Sequence, residues 1–127
     1  MNIIKTKTFN ASITLGLEVG YTNVLINKEE VIVELQAYQQ RRIDETNIYL
    51  SALITECNIV LNGQNEPHLK LEFINYPKFP MRVEVFKSEI LNLAAYLLTK
   101  MKQNRTVIVF TDETVMLELS EEIDPRI

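Results

Sequence analysis

The sequence is poor in the residues that build most catalytic and metal centres. It holds one cysteine, one histidine, three glycines and no tryptophan. A lone cysteine, Cys57, excludes an internal disulfide and a cysteine-cluster metal site. A lone histidine, His68, excludes a two-histidine phosphoesterase and a histidine-rich metal site. No glycine-rich phosphate loop of the Walker or dinucleotide type is written anywhere. A Ser-His-Asp arrangement is not indicated either, since His68 opens a strand whose inward positions are apolar, and it reads as a surface histidine. No apolar run approaches the length needed to cross a bilayer. The opening Met-Asn-Ile-Ile-Lys-Thr-Lys lacks the apolar core of a secretory signal. A cytoplasmic setting without a membrane partner is therefore expected, with Cys57 as a small buried hydrophobe in a reducing cytosol.

Basic charge is also short. Thirteen Lys and Arg stand against seventeen Asp and Glu, for a net charge of −4. Non-specific binding of a long nucleic acid is driven by neutralising phosphates, so that partner is excluded. Locally the balance differs: Lys78, Arg82, Lys87, Lys100, Lys102 and Arg105 cluster in the second half. They fit either a local anion site or solvated helix faces.

What is present is a regular alternation of elements in a chain of 127 residues, the size of one domain. Residues 8–21 alternate apolar and polar without a break, which predicts a long first strand with a smooth polar face containing Gly16 and Gly20. Asn27 is a good N-cap, Glu30 stands at capping-box spacing, and Ile26 with Val31 can staple the helix start. Arg41 and Arg42 are expected in its last turn, complementing the helix dipole. Residues 47–61 read as a second strand whose parity switches, implying a bulge near Thr55 and Glu56 or burial of both faces. Asn62-Gly63 signals a turn, lengthened by Gln-Asn-Glu-Pro, before a third strand over 68–74. A second helix is expected over 87–102, a fourth strand over 105–110 and a fifth over 114–119. The order is a split βαβ: an α+β, ferredoxin-like antiparallel sheet with two helices on one face and an extra C-terminal strand. Residues 1–120 form one ligand-binding domain on this reading, and 121–127 an acidic tail.

The segment from Leu69 to Pro80 breaks from a clean strand into Asn-Tyr-Pro-Lys-Phe-Pro. Its two prolines fix φ and remove donors, leaving a stiff loop that carries Asn75, Tyr76 and Phe79. Those rings fit either a plug at the end of the core or a stacking face for a planar ligand. Arg105, directly after Gln103 and Asn104, can meet a phosphate bidentately. Asp112 and Glu113 fit ordinary turn chemistry or a cation contact.

The run His68–Pro80, with Gln103-Asn104-Arg105, Asp112–Glu118 and the opening Thr8–Leu17, resembles phage Thoeris anti-defence protein 1. The resemblance spans nearly the whole chain. It implies a non-catalytic sponge in the bacterial host cytosol for a cyclic ADP-ribose isomer, and in some relatives for cyclic oligonucleotides. It also implies a homo-oligomer built from dimers, up to a hexamer. The expected ligand contacts are Arg105, Asn104, Phe79, Tyr76, Asn75 and Asn92, with Gly16 and Leu17 of the first strand. No catalytic residue, metal or cofactor is assigned, and the chain is expected not to be an enzyme. Two alternatives stand beside this. One is a small nucleotide-acting enzyme on the same scaffold, working through Arg105 with Asp112 or Glu113. The other is a homo-oligomeric interaction module without a small ligand.

Overall fold

The computed structural model describes residues 1–126. The elements run β1 (Asn10–Gly16), α1 (Lys28–Thr46), β2 (Leu53–Leu61), β3 (Gln64–Ile74), α2 (Val83–Lys100), β4 (Arg105–Phe110) and β5 (Thr114–Glu118). The strands form one antiparallel sheet in the order β2-β3-β1-β4-β5. Without β5 this is the split βαβ order, and β5 extends the sheet beyond β4. The ferredoxin-like architecture with an extra C-terminal strand is thus what the chain forms. Among the described residues no helix is long and apolar enough to cross a membrane.

The alternation in β1 sorts its side chains. Ala11, Ile13 and Leu15 face the same side as their partners Phe73, Leu71 and Leu69 on β3, and as Phe110 and Ile108 on β4. All are buried, and both helices cover them: Val31, Leu35 and Tyr38 from α1, and Phe86, Ile90, Leu93 and Leu97 from α2. Each large aliphatic fully removed from water contributes about 1.5–3 kcal/mol. The helices are also clamped to each other. Arg42 meets Glu89 through two bonds, Nε to Oε2 at 3.0 Å and Nη2 to Oε1 at 2.5 Å, and the Glu89 carboxylate is buried. Among the described residues, no helix lies on the opposite face of the sheet.

Local departures from the predicted boundaries have identifiable causes. Alternation predicts β1 as far as Tyr21, yet the chain leaves the sheet at Gly16. Gly20 takes a positive φ of 49°, and residues 18–25 close into a loop across a Glu18–Leu25 bridge. No bulge interrupts β2, whose pairing with β3 is continuous from Leu53 to Leu61. The parity switch is real and lies within β2. Ile54, opposite Leu71, packs against the core, whereas Cys57, Ile59 and Leu61, opposite His68, Glu66 and Gln64, face the uncovered side. Before it, 47–52 lies outside the sheet, where Leu50 still reaches the core. Asn62-Gly63 is a minimal two-residue turn between Leu61 and Gln64, with Gly63 at φ 87°, so the longer loop is absent. Pro67 is tolerated within β3 because its carbonyl accepts from Leu17 N; its ring nitrogen points the same way, beyond the end of β1. Helix α2 starts at Val83, a turn earlier than expected, and its N-cap Arg82 makes no side-chain cap bond. Arg41 and Arg42 do not cap α1, which runs on to Thr46 and ends at Asn47 in the left-handed region. Arg42 serves the Glu89 clamp, while the Arg41 guanidinium lies over the rings of Tyr38 and Tyr96.

Candidate functional site

The sheet topology divides the expected ligand contacts. Both β3 and β4 run antiparallel to β1, which lies between them. Their ends therefore emerge at one end of the sheet and their starts at the other. Asn75, Tyr76 and Phe79 follow the end of β3; Gly16, Leu17, Asn104 and Arg105 gather where β1 ends and β4 begins. Asn92 is exposed on α2 and joins neither group.

At the first end, Asn75 is a structural clasp. Its amide donates to Thr6 Oγ1 (3.1 Å) and to Lys7 O (2.9 Å), and its Oδ1 accepts from Met81 N (2.9 Å). It is buried, and its groups tie the N-terminal segment to the start of α2. Tyr76 and Phe79 are half-exposed. Phe79 stacks on Tyr49 with centroids 4.6 Å apart and on Tyr76 at 6.0 Å. The rings thus pack on one another at the rim of an apolar groove with Leu50 and Met81. Asp112 and Glu113 belong to this end too, where both bind Lys87 Nζ, at 2.8 and 3.3 Å. Arg105 opens β4 and these carboxylates follow its close, so the pairing of Arg105 with Asp112 or Glu113 is overturned.

The other end holds a cleft of about 230 Å³. Its floor depends on Gly16. A Cβ there would stand 2.4 Å from Gln103 Oε1, and the Gln103 amide in turn donates to Glu18 O (2.6 Å) and Met101 O (2.9 Å). The Tyr21 hydroxyl accepts from Asn104 Nδ2 (2.8 Å) and Arg105 Nη1 (2.5 Å) and donates to Glu122 O (3.0 Å). Arg105 also donates to Glu118 on β5 at 2.6 Å, a contact that raises its pKa. This guanidinium braces the wall instead of standing free for a phosphate. His68 lines the cleft and is half-buried, contrary to its reading as a surface residue. Its Nδ1 lies 3.0 Å from Glu66 O; a carbonyl only accepts, so Nδ1 is the donor in this contact and Nε2 is left toward the cleft.

Acidic groups define the mouth. Glu18, Glu66 and Asp124 all reach Arg126, at 3.5, 3.4 and 2.9 Å. The Arg126 bond holds the Asp124 carboxyl below the ordinary carboxylate range. Sequence reasoning missed most of this cluster. Glu18 did carry a signal, as the lone charge on the polar face of the alternating first stretch. Arg126 carried none, because its partner Glu18 lies 108 residues away.

Comparison with known proteins adds a fold relationship. No family model matches the chain, and no curated protein matches it in sequence. Two solved structures share its architecture. A phage SAM lyase in the apo state superposes with a TM-score of 0.73 and 19% identity, over 91% of each chain. A phage SAM lyase in complex with S-methyl-5'-thioadenosine gives 0.73 and 17%, over 97% of this chain and 98% of that one. At these identities the likeness establishes a shared fold. It supports the resemblance to phage proteins in that coarse form, without support for the Thoeris anti-defence family in particular. The expectation of a non-catalytic sponge that is not an enzyme is overturned: the structures matched almost end to end are of an enzyme.

Proposed function

We propose that this chain is a lyase acting on S-adenosylmethionine (SAM) or a close sulfonium nucleoside, releasing S-methyl-5'-thioadenosine. The observation that carries the proposal is the near end-to-end likeness to a SAM lyase that holds this product. The cleft supports it chemically. SAM is a cation with a nucleoside attached, and Glu18 and Glu66 offer carboxylates beside hydroxyl, amide and imidazole groups.

A lyase adds no water, so the electrons that replace the broken C–S bond come from the substrate itself. The carboxylate of SAM closes on its own Cγ, forming a five-membered lactone, and the C–S pair stays on sulfur as a neutral thioether. Atoms balance without a co-reactant. A sulfonium leaves without protonation, so the step needs no general acid, which suits a chain with a single histidine. In this reading Glu18 and Glu66 hold the sulfonium end, while Tyr21 and Asn104, fixed by Arg105, form the wall against the nucleoside. A chain that consumes SAM removes the methyl donor from the cytosol in which it works, and the anti-defence character expected from the resemblance survives in that chemical form.

Incubating the purified protein with SAM and separating the products tests the proposal. The expected result is S-methyl-5'-thioadenosine with the lactone or its hydrolysis product; intact SAM after long incubation would remove the reading. Glu66→Gln should lower turnover at least tenfold, the effect of about 1.4 kcal/mol at the transition state.

The chain is further proposed to act as a homo-oligomer. The uncovered sheet face presents Leu53, Ile59, Ile74, Val107, Val109 and Met116 to solvent, an unusual concentration of apolar side chains for a lone subunit.

A further inference from the structure

We infer that the C-terminal segment 120–126 is a displaceable plug, and that Arg126 occupies the place which the positive charge of the substrate takes. This deepens the proposed lyase reading and rests on it. Three observations converge. First, Arg126 is bound on all sides by the cleft. It meets Glu18 and Glu66 from the body of the protein and donates to Thr22 O at 3.0 Å and Asn23 Oδ1 at 2.8 Å. Second, the segment has no regular structure and no apolar anchor. Ile123 is 72% exposed, and the contacts that hold the strap are polar: Gln64 Nε2 to Arg126 O (2.9 Å), Tyr21 Oη to Glu122 O (3.0 Å) and Asn104 Oδ1 with Ser120 N (3.0 Å). With no apolar side chain anchoring it, the strap can open without exposing the core, a local opening that costs less than unfolding the domain. Third, Asp124 pairs with Arg126 inside the strap itself, at 2.9 Å. The strap can therefore lift as a self-neutralised unit, leaving Glu18 and Glu66 without their cation.

Two half-buried carboxylates left unpaired favour any cation that replaces Arg126. A sulfonium does so, and a neutral thioether does not. The reaction thus changes the competition: SAM can hold the strap away, whereas S-methyl-5'-thioadenosine leaves the carboxylates open for Arg126 to return. The strap would tax substrate binding and speed product release.

Steady-state kinetics on the wild type and Arg126→Ala, with hydrogen exchange on the wild type alone, test this. The KM for SAM should fall at least about fivefold in Arg126→Ala, because the competing closed state is removed. Sinefungin, whose ammonium group stands in for the sulfonium, should speed exchange of the amides of residues 120–126 in the wild type. S-methyl-5'-thioadenosine should leave them slow. If product forms but KM is unchanged or raised, or if sinefungin protects the strap, the plug is wrong and the lyase reading stands. If neither protein releases S-methyl-5'-thioadenosine and sinefungin has no effect, both fail. The exchange experiment decides even where Arg126→Ala does not fold.

Discussion

Gly16 shows how much of the cleft depends on a missing side chain. A methyl group there would meet the Gln103 amide at 2.4 Å and force it away from Glu18 O and Met101 O. Gly16→Ala should therefore cost about 1–3 kcal/mol, the penalty of leaving buried hydrogen-bonding groups unpaired. In a Gln103→Ala background the same change should cost much less, since nothing remains to clash. Thermal melts on the four proteins of that cycle check it, and equal costs in both backgrounds would show that Gln103 is not the obstacle. Aromatic residues divide in a comparable way. Phe79 is half-exposed and stacked on Tyr49, so Phe79→Ala should lose only about 0.5–1.5 kcal/mol, the worth of an aromatic pair. Phe86 is buried at the centre of the core, and Phe86→Ala should lose about 3–5 kcal/mol. Phe79→Ala should also leave SAM turnover unchanged, because the ring stands at the opposite end of the sheet from the cleft. From sequence the loop's rigidity was legible, but the partner of Phe79 was not: Tyr49 comes from a stretch that reads as strand. Asn104 and Arg105 were legible as neighbours of a polar site. The groups that occupy them, Tyr21 and Glu118, come from other elements and leave no local trace.

Among the elements, the start of α1, which carries its own chemical punctuation, was read correctly. Asn27 Oδ1 accepts from Glu29 N at 2.9 Å, as an N-cap should, and Asn27→Ala should cost about 1 kcal/mol, read from chemical denaturation. An unchanged midpoint would mean that α1 is held by packing alone. The start of α2 was misplaced because Arg82 gives no cap signal. The end of β1 was misplaced for a different reason. Its alternation continues past the sheet because Leu17 and Val19 still turn toward the core, so the pattern reports burial and not pairing. The same distinction explains 47–52, where Leu50 is buried without a partner strand. The strap 120–126 has a pH dependence of its own. Arg126 depresses the Asp124 pKa below its ordinary 3.8. The contact is therefore fully present above pH 3.8 and is lost as pH falls through the lowered value. Because this pair lies within the strap, its loss should read as a fall in the protection factor of the Arg126 amide, which donates to Asp124 Oδ1 at 2.9 Å, with no such step in Asp124→Asn.

For the molecule as a whole, burial is one-sided. The helix face is filled, while the other face offers Val107, Val109 and Met116 beside Lys70 and Glu72. If that face joins subunits, Met116→Glu should dissociate the assembly without lowering helix content, and light scattering would report a 14.7 kDa species. A wild type already of that mass at micromolar concentration would remove the oligomer reading. Nothing in a single sequence says which uncovered face is shared between copies, since exposure and self-contact leave the same alternation. The overall architecture was legible because two periodicities, two and 3.6 residues, alternate cleanly along the chain.

The central position of β1 also has a consequence for how the protein is made. Its neighbours are β3 on one side, where Ala11 faces Phe73, and β4 on the other, where Ala11 faces Phe110, so the first strand made is completed by one made about a hundred residues later. Until β4 has been made, Ala11, Ile13 and Leu15 have no complete sheet to enter. The nascent chain must keep an apolar strand from straying until β4 has left the exit tunnel. Pairing across such sequence distances is slow. Yield in a cell will therefore depend on chaperone supply and on growth temperature more than the stability of the finished fold would indicate.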